Sequence, residues 1–145
     1  MLSFVSDVRG TPNAGPTSWS SGEPSAELDG VRVLVVEDEA LVAMLIEDAL
    51  LDLGCVVIGP APGVADALRL LEDEAIDAAL LDINLSGEMV FPVADRLAAD
   101  GVPFVFSTGY GTAGLADHHR DRPVLQKPYN PAKLEAALSA VLGRI

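Results

Sequence analysis

From Val31 onward the chain alternates between two hydrophobic patterns. Short apolar runs read as strands, and longer stretches with apolar residues every three or four positions read as helices. "VRVLVV" (31–36) predicts a first strand. "EALVAMLIEDALLDLG" (39–54) follows, with Val42, Leu45, Ile46, Ala49 and Leu53 on one helical face and Gly54 as the stop. "CVVI" (55–58) predicts a second strand, and "VADALRLLEDE" (64–74) a helix through Val64, Leu68 and Leu71. "IDAALLDI" (76–83) is a third strand, "FPVADRLAAD" (91–100) a helix ended by Gly101, and "VPFVF" (102–106) a fourth strand. "TAGLADHHRDR" (112–122) carries only a weak, short helical pattern. "PVLQ" (123–126) is a fifth strand. "NPAKLEAALSAVLG" (130–143) is a last helix, with Asn130 as N-cap, Pro131 in its first turn and Gly143 at its end.

Strands alternate with helices, and the central strands are apolar almost without interruption. That is the pattern of a parallel sheet covered on both faces. Short connections and right-handed crossovers favour an α/β, doubly wound, five-stranded parallel sheet of order 2-1-3-4-5. Residues 1–29 differ. "RGTPNAGPTSWSSGEPSAELDG" is rich in Gly, Pro, Ser and Thr and has no periodic apolar face, so it is expected to be a flexible N-terminal extension ahead of a folded domain over 30–145. Its Trp19 is either an incidental part of a tail or the anchor of a docking segment.

Composition narrows the function. A net charge of -13 argues against direct nucleic-acid binding, which calls for Lys and Arg, and suits an acidic protein that binds a cation. Cys55 sits beside Val56, Val57 and Ile58 and reads as a small buried hydrophobe. With one cysteine there is no disulfide framework, which fits a reducing cytoplasm. No apolar run approaches the roughly 18 residues of a membrane span. Asp7 and Arg9 interrupt the short apolar start, so no signal peptide is expected.

In a sheet of this topology, ligands bind beyond the carboxyl ends of the strands. Glu37 and Asp38 end the first strand, Asp82 the third, Ser107 and Thr108 the fourth, and Lys127 with Pro128 the fifth. The second ends in Gly59 and Pro60, which bring no side-chain chemistry. Two unit charges 4 Å apart repel by about 4 kcal/mol at an effective dielectric of 20. Protonation or a divalent cation relieves that repulsion. An all-oxygen, water-accessible site suits Mg²⁺ or Mn²⁺ better than Zn²⁺. His118 and His119 read as part of a solvated turn rather than as ligands. A cation, a carboxylate, a hydroxyl and a lysine are the parts that hold a phosphoryl group, and Asp82 can serve as nucleophile to give an acyl phosphate.

"VLVVEDE", "LLDINLSGE", "FVFSTGY" and "LQKPY" together resemble the receiver (CheY-like) domain of two-component response regulators, a flavodoxin-like fold, over about residues 31–145. The resemblance implies that Asp82 accepts a phosphoryl group from a phosphohistidine of a sensor histidine kinase. It implies Mg²⁺ ligation by Asp38 and Asp82, by the backbone carbonyl of Asn84, and by Glu37 through water. It makes Thr108 the switch hydroxyl, Lys127 the partner of the phosphoryl oxygens, and the Lys127–Pro128 bond cis. The implied readout surface is the fourth helix, fifth strand and fifth helix. Such a receiver catalyses only its own phosphorylation and dephosphorylation. "PFVFSTGYG" further resembles a subgroup of stand-alone receivers with a Pro-Phe-x-Phe-Ala-Thr-Gly-Tyr signature, in which Ser107 takes the alanine position.

Many receivers carry Tyr or Phe three residues before the lysine, and here that position is Val124. Tyr110 is therefore the expected carrier of the switch, and Asn84 with Tyr110 is expected to flank the path of the hydrolytic water. With no output domain after the last helix, the expected function is a single-domain response regulator. It would bind a partner, pass phosphate on through a phosphotransfer protein, or drain a kinase. Two alternatives remain: a pseudo-receiver that is never phosphorylated, and an aspartyl phosphatase of the haloacid dehalogenase type. Against the second, Asn84 stands where that family has a second Asp.

Overall fold

The computed structural model describes residues 28–109, 122–127 and 129–143. In chain order the elements are β1 (Arg32–Val36), α1 (Ala40–Asp52), β2 (Val56–Ala61), α2 (Val64–Asp73), β3 (Ala78–Asp82), β4 (Asn84–Leu85), β5 (Glu88–Met89), α3 (Phe91–Ala99), β6 (Phe104–Thr108), β7 (Val124–Gln126) and α4 (Pro131–Leu142). Five strands form one parallel sheet in the order β2-β1-β3-β6-β7. Counting only its own strands, that is the expected 2-1-3-4-5. The segment 111–121, with its weak helical pattern and its two histidines, lies outside the described residues.

Alternate side chains of a strand face opposite sides of the sheet, and here they feed two separate cores. Leu34, Val36, Leu81, Phe104 and Phe106 pack with Val93 and Leu97 of α3 and Ala67 of α2. Val33, Val35, Leu80 and Val105 pack on the other side with Ile46 and Leu50 of α1 and Leu134 and Leu138 of α4. Phe106 stands at the centre of the first core, edge-on to Phe104 and Phe91 at 5.4 and 6.0 Å between ring centroids. Cys55 is buried in the second, and desolvation pushes its thiol up to about 11, so it stays a packed, uncharged group. Leu28 is fully buried in the same layer, although sequence pattern alone leaves it in the extension. Residues 1–27, with Trp19, lie outside the described residues.

Three local expectations change. First, α1 buries Ala43, Ile46 and Leu50, while Leu45 is 61% exposed. The helix is apolar nearly all round, so periodicity could not tell the buried stripe from its neighbour. Second, β2 runs past its predicted end, through a cis Gly59–Pro60 bond, to Ala61. Its register on β1 shifts between Leu34 and Val36 to admit this. Gly59 has φ +101°, and a Cβ there would stand 2.8 Å from the Ala61 nitrogen and 3.0 Å from the Val35 oxygen, so only glycine fits. Third, the segment after Asp82 forms a small antiparallel hairpin, β4–β5. Ser86 and Gly87 turn it with φ +55° and +92°, the two positive angles of a type I′ turn. The Gly87 N–H donates to Asn84 Oδ1 at 2.9 Å and braces that turn.

Candidate functional site

At the carboxyl edge of the sheet, β1, β3 and β6 deliver their last residues to one place. The register pairs Val36 with Leu81 and Asp82 with Ser107, so Glu37, Asp38, Asp82 and Thr108 come level across adjacent strands. One carboxylate oxygen each from Glu37, Asp38 and Asp82 lies within 4.8 Å of the others. Glu37, Asp82 and Thr108 are buried, and Asp38 is half-buried. Asp38, Asp82, Asn84, Ser86, Thr108 and Lys127 line a cleft of about 470 Å³ around this edge.

Lys127 enters from the end of β7, where its N–H donates to the Thr108 carbonyl at 2.8 Å. Its ammonium donates to Glu37 Oε1 at 3.0 Å and lies 3.5 Å from Asp82 Oδ2. The lysine thus sits between two buried carboxylates and is nearer to Glu37. Burial alone would lower its pKa, but the hydrogen bond and the charges of Glu37 and Asp82 outweigh that, and the net direction is upward. Glu37 is held from its other oxygen, which accepts the Glu39 N–H at 3.1 Å.

Asp82 is pushed up to about 7. Burial is the largest cause, and the charge of Glu37 adds to it. Lys127 pulls the other way, and Asp38 adds a further upward push. Burial, reinforced by the charges of Glu37 and Asp38, thus disfavours the ionised form of this carboxyl. A divalent cation among the three carboxylates would remove that repulsion, and the all-oxygen donor set fits Mg²⁺ or Mn²⁺.

The site residues read from the sequence divide into three groups. Glu37, Asp38, Asp82, Thr108 and Lys127 converge, and Asn84 lines the same cleft at the start of β4. Val124 is half-buried on β7, paired with Phe106 and packed against the α2/α3 core. Tyr110 and Pro128, with the expected cis bond, lie outside the described residues.

Ser86 and Tyr129 escaped sequence reasoning. The Ser86 hydroxyl donates a hydrogen bond to Asp38 Oδ2, which ties the β4–β5 turn to the carboxylate cluster. Its only signal was a Ser-Gly turn dipeptide shortly after Asp82. Ser107 Oγ donates to the Tyr129 hydroxyl at 3.5 Å, across to the α1/α4 side of the sheet. Burial raises that phenol. No helix among the described residues is long and apolar enough to cross a membrane.

The family model for the response regulator receiver domain matches residues 33–139. The structure of SdrG from Sphingomonas melonis is 47% identical, with a TM-score of 0.71 over 78% of this chain and 97% of that one. The receiver domain of the sensor histidine kinase PA1611 from Pseudomonas aeruginosa is 26% identical, with a TM-score of 0.67 over 79% of this chain and 98% of that one. It is described with a magnesium ion coordinated in its active-site cleft. Among curated proteins, the phyllosphere-induced regulator PhyR of Methylorubrum extorquens is 32% identical over 116 residues, which are 77% of this chain and 43% of PhyR. The chain spans about half the length of the curated relatives it matches.

Proposed function

The chain belongs to the response regulator receiver family, and from that membership we propose that it is a single-domain response regulator that takes a phosphoryl group from a sensor histidine kinase onto Asp82. The observation that carries this reading is the placing of one buried, electrostatically strained carboxylate beside two more carboxylates, a hydroxyl and a lysine. Histidine kinases are the partners of receiver domains as a class. SdrG, a receiver covered over nearly its whole length, supports the single-domain form.

Glu37, Asp38 and Asp82, with the backbone carbonyl of Asn84, are the residues that would hold Mg²⁺. Bound there, the cation would neutralise charge on the phosphoryl oxygens and keep Asp82 ionised. An ionised Asp82 oxygen attacks phosphorus, the P–N bond of the phosphohistidine breaks, and its electron pair returns to the imidazole. The product is an acyl phosphate on Asp82. Lys127, poised 3.5 Å from Asp82, moves its charge from Glu37 toward the new phosphoryl oxygens. Thr108 supplies a hydroxyl from the adjacent strand end.

The phosphoryl group brings about 1.5 to 2 negative charges while Asp82 gives up its own carboxylate charge, so the charge moves outward from Asp82 toward Lys127 and Thr108, the groups that respond. Tyr110, rather than residue 124, then carries the change outward, because Val124 has no ring to swing. The output is a protein contact on the last helices, or transfer or drainage of the phosphoryl group. The deciding experiment is incubation with acetyl phosphate and Mg²⁺ followed by intact-mass measurement. One phosphoryl addition, absent in Asp82→Asn and absent with EDTA, is expected. No addition, or one that persists in Asp82→Asn, overturns the reading.

A further inference from the structure

The three carboxylates of the cleft are not held equally. Glu37 is buried, and its two oxygens accept from Lys127 Nζ at 3.0 Å and from the Glu39 N–H at 3.1 Å. Asp82 is buried at the end of β3, with the Lys127 ammonium 3.5 Å away. Asp38 is only half-buried and lies in the loop between β1 and α1. Among the described residues, its carboxylate takes its hydrogen bond from the Ser86 hydroxyl, 48 positions further along the chain. Without that bond the Asp38 side chain would be free to turn among its rotamers.

Ser86 reaches Asp38 from a braced position. Leu85 is buried beside it, and the Val90 N–H donates to the Ile83 carbonyl at 3.0 Å across the base of the β4–β5 hairpin. The Gly87 N–H closes the turn onto Asn84 Oδ1. Glu88 Oε1 accepts the Val64 N–H at 3.2 Å and ties the hairpin to the start of α2. Among the described residues, Ser86 is the one non-glycine with a positive φ, +55°. A glycine would adopt that left-handed conformation more cheaply. What serine adds is a hydroxyl, and the hydroxyl is on Asp38. It takes one of about four acceptor sites of the carboxylate, so the others stay open to a cation.

We propose that Ser86 is a positioning residue of the cation site. Its hydroxyl fixes the orientation of Asp38 and so raises the affinity for Mg²⁺ or Mn²⁺. This rests on the reading of Glu37, Asp38 and Asp82 as the cation's ligands. Hydrogen bonds to a metal ligand from outside the coordination sphere are worth roughly 10–100-fold in metal affinity. Ser86 is exposed, so its replacement opens no cavity in the core.

The test separates the hydroxyl from the turn. Mn²⁺ is titrated into the parent, Ser86→Ala and Ser86→Gly, with free Mn²⁺ read from its paramagnetic resonance signal. Each protein is also unfolded with urea in EDTA. Alanine removes the hydroxyl and keeps the backbone cost, whereas glycine removes both. Each variant is expected to bind Mn²⁺ about tenfold more weakly than the parent. The urea midpoint of Ser86→Gly is expected to match or exceed that of the parent. Parental affinity in either variant overturns the proposal. Weaker binding together with a lower midpoint in Ser86→Gly overturns it in favour of a merely structural turn. A parent that takes up no Mn²⁺ overturns the cation site itself, and this inference with it.

Discussion

Replacing Asp82 with asparagine should stabilise the fold at pH 8, although it removes the central residue of the site. The folded protein holds this carboxyl at about 7 against an ordinary value of 3.8. Between those values the folded chain binds one proton more than the unfolded chain. Stability therefore falls as pH rises through that window, and the penalty is complete above it. About three units at 1.36 kcal/mol each set a ceiling of about 4 kcal/mol. Asparagine also gives up the attraction to Lys127 at 3.5 Å, so a gain of about 2 kcal/mol is expected at pH 8. With a urea slope of roughly 1–3 kcal/mol per molar, the midpoint rises by about 1 M. The assay is urea unfolding of parent and Asp82→Asn in EDTA, from pH 4 to pH 8. The two curves should coincide near pH 4, separate progressively between pH 4 and 7, and keep a constant gap above that. Adding Mg²⁺ at pH 8 should stabilise the parent and close much of the gap. A variant less stable than the parent at pH 8, or a gap that does not vary with pH, would refute the electrostatic account.

Further predictions concern the residues around this carboxylate and the core beneath it. Lys127→Ala leaves Glu37 buried beside Asp82 without its cation and should destabilise by about 3 kcal/mol at pH 8 by urea unfolding, with part recovered in a Glu37→Gln background. Phe106→Ala removes a buried ring packed on Phe104 and Phe91 and should lower stability by about 3–5 kcal/mol, read from the same unfolding curves. Tyr110→Ala should blunt the amide shifts that beryllofluoride induces in NMR spectra; an unchanged response would remove Tyr110 from the switch.

Strand and helix order, the doubly wound sheet and the acidic edge were all legible in the sequence. Continuous apolar runs such as "VRVLVV" and "AALL" admit few structures other than buried parallel strands, and short connections leave one practical strand order. Polar residues at the ends of such runs must then lie at the binding edge, so Glu37, Asp38, Asp82, Thr108 and Lys127 could be named in advance. Less legible was the buried stripe of α1. With Leu41, Met44 and Leu45 exposed and Ala43, Ile46 and Leu50 buried, only contact with the sheet chooses the face. The Leu28 anchor was hidden too, because a lone Leu in a polar stretch has no period.

Local chemistry and chain order thus determined which groups meet. Tertiary structure decided how strongly they act on one another. Lys127 lies closer to Glu37 than to Asp82, Ser86 reaches back to Asp38, and Asp82 is raised to about 7. Each depends on distances across strands far apart in sequence and on the removal of water around them. Side-chain identity supplies the charges, but only burial at a shared sheet edge sets the dielectric in which they interact.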